Sequence, residues 1–100
     1  MSKLTELLQF SDPFVAQEKS MKLLGDTGLL FLSPKKDKKY RVFDPRTKKW
    51  IDFGQMGYED FTKHKDEERR QQYLSRATNI KGNWKKNKYS PNNLAINILW

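Results

Sequence analysis

The chain's one histidine lies in the stretch DFTKHKDEERRQQYLSR, residues 60–76, with four acids and five basic residues. Asp60, His64 and Asp66 are residue types that hold metal ions or move protons, and a histidine beside a carboxylate can act as a general base. Covalent catalysis also needs a nucleophile paired with that base. The sequence has no cysteine and no Gly-x-Ser-x-Gly turn. His64, Lys65 and Asp66 are adjacent, so their side chains diverge on any regular element. A metal-dependent nuclease built on Asp60, His64 and Asp66 is the enzymatic scheme these residue types leave open. A charged helix explains the same residues without chemistry. Asp66 stands where an N-cap belongs, and Glu67 and Glu68 occupy a first turn, where the helix dipole favours negative charge. His64 is then a surface or capping residue, and the expectation is a non-enzyme with no catalytic residue, metal or cofactor.

FGQMG, residues 53–57, has two glycines three apart, but no Lys-Ser/Thr follows, so it is not a phosphate-cradling loop. It reads as a strand-to-helix turn that needs positive φ.

The basic charge is more informative. The net charge is +8, and it is unevenly spread. Residues 1–34 hold three lysines against four acids, residues 35–88 hold seventeen Lys and Arg against eight acids, and residues 89–100 carry no charge. A polyanion or an acidic protein surface is the partner such a middle segment fits. Basic residues interleave with aromatics in KKDKKYRVFDPRTKKWIDF and in KGNWKKNKY. The lysines could neutralise phosphates, Arg69, Arg70 and Arg76 could fork onto phosphate oxygens, and Tyr40, Trp50, Trp84 or Tyr89 could stack on unpaired bases. No RNA-recognition, zinc-finger or homeodomain pattern is present. The longest apolar run is LLFL at 29–32, far short of the ~20 residues of a membrane span. Met1–Phe10 lacks the apolar core of a cleavable signal, so a soluble, intracellular protein is expected.

Elements that would position these residues can be read from caps and spacing. Leu4, Leu7 and Leu8 share one side of a short helix with Ser2 as its cap. Asp12 and Pro13 open a second helix with Phe14, Met21 and Leu24 on its inner face, and Gly25 ends it. GLLFLS (28–33), KKYRVFD (38–44) and KKWIDFG (48–54) alternate as strands, and Asp44-Pro45 marks the turn of a hairpin. Tyr40 and Val42 should share one face of their strand, and Ile51 and Phe53 one face of the partner strand. YEDFTKH is expected to be a short helix with Tyr58 and Phe61 on one face. In the helix after Asp66, Tyr73, Leu74, Ala77 and Ile80 form an inward stripe, and Arg69, Gln72 and Arg76 an outward one. IKGNWKKNKYS is a lysine-rich loop, and SPNNLAINILW opens like a helix, with Leu94 and Ile98 four apart. The fold class is α+β: an N-terminal helical pair over residues 1–34, then a basic module over 35–100 with a small antiparallel β-hairpin or three-stranded sheet and two to three short C-terminal helices. Residues 1–100 form a single domain.

The segment KDKKYRVFDPRTKKWIDFGQMGYEDFTKHKDEERRQQYLSRATNIKGNWKKNKYSPNNLAINILW, with neighbouring Lys35, resembles a family of small uncharacterised proteins encoded by large DNA viruses of algae and protists. The shared pattern is FG..GYEDFTKHKD..RR..YL.R followed by IKGNW..NKYSPNNL..N.LW. The resemblance implies a viral origin and a place in the virion, the host cytoplasm or a viral factory, and it carries no activity with it. The leading expectation is a virion-associated protein that binds nucleic acid electrostatically, DNA ahead of RNA. Lys35, Lys36, Lys38, Lys39 and Arg41 form one patch, and Arg46, Lys48 and Lys49 on the hairpin turn another, beside Arg69, Arg76, Lys85, Lys86 and Lys88. The alternative is a minor capsid protein that sets those charges on acidic capsid surfaces and docks through Trp84, Leu94, Ile98 and Trp100.

Overall fold

The computed structural model describes residues 2–82 and 84–100. Ser2 caps α1 (Lys3–Leu8) by accepting the Thr5 amide hydrogen. Asp12 accepts from Phe14 and Val15 at the start of α2 (Pro13–Leu24), whose first residue is a proline that needs no hydrogen bond there. Gly25 ends α2 at φ 67°, and a single 3-10 turn runs to Thr27.

The inner face of α2 differs from the expected one. Phe14 is 84 % exposed and Met21 is also exposed, whereas Ala16, Ser20 and Leu24, spaced four apart, are buried. The cause is close backbone approach. A β-carbon at Gly28 would lie 2.5 Å from the Ser20 carbonyl oxygen. Gln17 and Ser20 both donate to the Gly28 carbonyl, and the Leu30 amide donates to Gln17. Only small residues fit where the chain returns over the helix. On α1, similarly, Leu7 is buried while Leu4 and Leu8 are exposed.

Those same bonds explain why the first strand is short. With Gly28 and Leu30 tied to α2, β1 is only Phe31–Leu32. It pairs antiparallel with β2 (Lys38–Asp44), which pairs antiparallel with β3 (Lys49–Gln55), giving the order β1-β2-β3. Tyr40 stands opposite Phe53 and Val42 opposite Ile51, the face read from the alternation. At the hairpin turn the Asp44 carboxylate accepts from the Arg46 amide (2.9 Å), and the Lys48 amide closes the turn on the Asp44 carbonyl (2.8 Å). Gly57, at φ 98°, lies in the expected turn toward α3 (Phe61–His64), whereas Gly54, at φ 84°, is still within β3. This helix starts later than expected and leaves Tyr58 outside it, 69 % exposed.

Asp66 caps α4 (Glu67–Ala77) by accepting from Glu68 and Arg69. Ala77 is buried, but Ile80 lies beyond the helix end and is exposed. After a 3-10 turn at Trp84–Lys86, Ser90 caps α5 (Pro91–Leu94), which continues as a π-helical turn through Ala95–Leu99. Leu94, Ile98 and Leu99 from this end join Leu7, Ala16 and Leu24 from the first two helices and Tyr40, Val42 and Phe53 from the sheet. The N-terminal helices and the basic module therefore share one core. Among the described residues, no helix is long and apolar enough to cross a membrane.

Gly54 is where the sheet meets the C-terminal segment. A β-carbon there would lie 2.8 Å from Leu99 Cδ1 and 3.2 Å from Lys39 Cβ, and its φ is left-handed. Gly54→Ala should cost about 2–4 kcal/mol of stability, because it adds overpacking to backbone strain. Gly57→Ala, with open space around it, should cost only about 1–2 kcal/mol. Urea unfolding of the two variants measures the difference.

Candidate functional site

Asp60, at the head of the charged stretch, is fully buried, and its carboxylate accepts from the Thr62 amide (3.0 Å), the Thr62 hydroxyl and Lys39 Nζ (3.0 Å). Lys39 is 2 % exposed and also donates to the carbonyls of Tyr58 (2.6 Å) and Phe10 (3.4 Å). Burial lowers the Lys39 pKa from its ordinary value, and the Asp60 charge opposes that shift. Ser11 joins the network through Thr62 and the Tyr40 hydroxyl (2.7 Å), and burial pushes the Tyr40 phenol well above its usual range. His64 Nδ1 accepts the Asp66 amide hydrogen (2.9 Å), and its ring lies 5.2 Å from Trp100. The Asp66 carboxylate faces its own helix. Asp60, His64 and Asp66 thus point to three different tasks. Among the described residues, no group of three or more His, Cys, Asp or Glu side chains gathers at a spacing that could hold a metal.

This geometry corrects one member of the expected basic surface. Lys39 cannot reach a phosphate, because its ammonium is enclosed and saturated by three oxygen acceptors. Other cations have tasks inside the fold. Lys35 lies 3.8 Å from Asp52. Arg41 lies 3.5 Å from Asp52 and 4.6 Å from the Trp50 ring centre. Arg46 bonds the Asp44 carboxylate (3.2 Å) and lies over Tyr89 (4.8 Å). Its hydrogen bonds hold the Asp44 carboxyl below the usual range. Arg70 is tied to Glu67 (2.9 Å) and to the Trp100 carbonyl (2.8 Å).

Two clusters remain. At the hairpin tip, Lys48 and Lys49 are exposed, and Arg46 hydrogen-bonds Asn87, which brings the tip beside exposed Lys85, Lys86 and Lys88. The second cluster lines a cleft of about 490 Å³ between one end of β2 and β3, α4 and α5. Lys38, Arg69 and Arg76 stand on it, with Tyr58, Tyr73 and Trp100. The Arg69–Gln72–Arg76 stripe, read as outward, forms one wall. Tyr73 and Trp100 are stacked at 4.1 Å, a contact between residues too far apart in sequence to be read from periodicity. Burial raises the Tyr73 pKa, and Arg76 pulls against that shift. Lys36 is exposed beside a separate shallow depression near Phe10 and Met56.

The aromatics and the docking residues also need correction. Tyr40 and Tyr89 are buried, with hydroxyls on Ser11 and Thr27, so neither can stack on a base. Leu94 and Ile98 are fully buried in this chain's own core and cannot dock a partner. Trp84 is half-buried and donates to the Ile80 carbonyl (2.6 Å), and Trp100 is half-buried against Tyr73. Trp50 stays exposed on the sheet, packed edge-on with Phe31 and Phe43.

Asp60→Ala should lower stability by about 3–5 kcal/mol, because it strands a buried ammonium. Asp66→Ala, which removes only a cap, should cost about 1 kcal/mol. Denaturant titrations of the two compare them directly. His64 adds a pH effect. Burial, and then the Arg69 charge, lower its folded pKa below the ordinary value. The unfolded chain therefore takes the proton more readily, and stability present above about pH 6.5 is lost as the pH falls through that folded pKa. The drop between about pH 7.5 and 5.5 should shrink in His64→Gln, which a pH series of unfolding curves would record.

No curated protein and no solved structure matches the chain. The span that does match a known family model begins at Leu29 and ends at Ala77, taking in the three strands, the buried Lys39–Asp60 pair and α4. Residues 29–77 match the model of a family of unknown function (DUF5754).

Proposed function

We propose that the protein is a non-enzymatic nucleic-acid-binding protein whose principal contact is the hairpin tip. The observation that carries this reading is the meeting of two basic segments far apart in sequence. Arg46 reaches Asn87 and Tyr89, so the turn that carries Lys48 and Lys49 meets the segment that carries Lys85, Lys86 and Lys88. Among the described residues none of these five lysines has an acidic partner within ion-pair distance, whereas most of the arginines do. Exposed ammonium groups without a carboxylate partner are suited to phosphates, whose condensed counterions they displace. DNA is the polyanion preferred, and a virion the setting. Both preferences come from the sequence's resemblance to proteins of large DNA viruses.

A second reading has its own observation. Leu29, Phe31, Leu32 and Trp50 are all exposed and lie on and beside the sheet. Apolar area of that kind often marks a protein interface, and it suits a minor capsid protein bridging larger subunits better than the buried Leu94 and Ile98 do.

Salt separates the two. Binding of labelled double- and single-stranded DNA should weaken by on the order of a thousandfold or more between about 50 and 200 mM salt if six or more phosphates are contacted. Replacing Lys48, Lys49 and Lys86 by alanine should flatten the slope of log affinity against log salt by about one per lysine. No binding even at low salt would sink the nucleic-acid reading. Association with capsid proteins that ignores salt but is lost in Trp50→Ser would favour the bridging one.

A further inference from the structure

We infer that the cleft between the sheet, α4 and α5 is a separate site for one nucleoside 5′-phosphate unit. Its size falls among small-molecule pockets, which run from about 300 to 1,000 Å³, at about 490 Å³. The use of arginine across the molecule points to the ligand's charge. Of the five arginines, Arg41, Arg46 and Arg70 are held by close carboxylate, carbonyl or ring partners. Arg69 has only a 3.8 Å contact with Glu59, and the Arg76 guanidinium has no hydrogen bond or ion pair among the described residues. Those two under-used guanidinium groups line the same cleft, with Lys38 beside them. They stand seven residues apart on α4, two turns or about 10 Å along the axis. That spacing lets phosphate oxygens be met by forked donors from one side.

The aromatic lining points to the rest of the ligand. Tyr73 and Trp100 already stack on each other, and His64 lies on the indole as well, so this pair is a rigid wall rather than a stacking face. Tyr58 is different. Its ring is exposed at the cleft while its backbone carbonyl is fixed by Lys39 Nζ. A planar base can lie on Tyr58 with its phosphate toward Arg69 and Arg76, and stacking of that kind is worth about 1–3 kcal/mol. The same unit could arrive as a free nucleotide or as the unpaired end of a strand. The site shares no residue with the hairpin tip, so it stands or falls independently of the polyanion reading.

The test is an amide and indole NMR titration of the full chain with adenosine 5′-monophosphate, inorganic phosphate, adenosine and a 5′-phosphorylated oligo-dA. Adenosine monophosphate should shift the Trp100 indole and the Tyr58 and Gln72 amides, and bind at least about tenfold tighter than phosphate or adenosine alone. Tyr58→Ala should lose about tenfold in affinity for the nucleotide and nothing for phosphate; Arg76→Ala should lose about tenfold for both. Both side chains are exposed, so unchanged spectra elsewhere will confirm that the fold is intact. In a chain lacking the tip lysines, tighter binding of the oligonucleotide than of the nucleotide identifies a strand end as the source, and the reverse identifies a free nucleotide. Equal affinity for phosphate and nucleotide, shifts confined to the hairpin tip, or an unaltered Tyr58→Ala would each overturn the site.

Discussion

The buried pair of Lys39 and Asp60 is the constraint around which the remaining parts are arranged. Taking an ammonium and a carboxylate out of water costs several kcal/mol per ion, and the cost is offset only when every polar atom finds a partner. Here it does. The ammonium has three oxygen acceptors, from Phe10, Tyr58 and Asp60, and the carboxylate takes two further bonds from Thr62. Those partners come from the α1–α2 corner, the β3–α3 connection and α3 itself. One lysine on β2 thereby fixes the sheet against the α1–α2 corner and the start of α3. A shift of any of these segments would leave a charged or polar group unsatisfied in the interior, so the pair specifies the arrangement as well as closing it.

The consequences run outward from there. The Lys39 stem and Leu99 crowd Gly54 so closely that only glycine fits. Tyr58, held by its carbonyl, turns its ring to solvent, and Asp60 caps α3 so that His64 ends against Trp100. The cleft is a product of this packing. Its Lys39 and Gly54 lining is set by the network, and its arginine wall is the face of α4 turned away from the core.

Local features of this fold were legible in the sequence, and features that join distant segments were not. Ser2, Asp12, Asp66 and Ser90 act as caps where their types and neighbours indicated, because a cap needs only the next three residues. The strand faces followed from alternation for the same reason. Lys39 stood in a run of lysines with nothing nearby to mark it, since its partner lies 21 residues away. The rule that large apolar residues face inward put Phe14 and Met21 in the core. It failed because α2 is approached by backbone at Gly28, and such contact selects a small residue at Ser20. Leu94 and Ile98 were correctly paired on one face, but the sequence alone could not distinguish a face for a partner from a face for the chain's own core.

Net charge is therefore a poor guide to binding surface until the spent charges are removed. Lys39, Arg41, Arg46 and Arg70 all contribute to the +8 while mainly serving internal contacts. Of the expected basic surface, what remains apart from Lys35 and Lys36 lies toward the two ends of the same strand pair. Lys38 opens β2 beside the cleft, and the turn after Asp44 carries Lys48. Six strand steps of about 3.4 Å separate them, roughly 20 Å. A strand of nucleic acid touching both ends must run at least that far along the hairpin, past the exposed Trp50 and Phe31 rings or around the opposite edge. Under the two proposals, the sheet's length, fixed by the register of β2 on β3, sets the shortest polymer that would engage tip and cleft together.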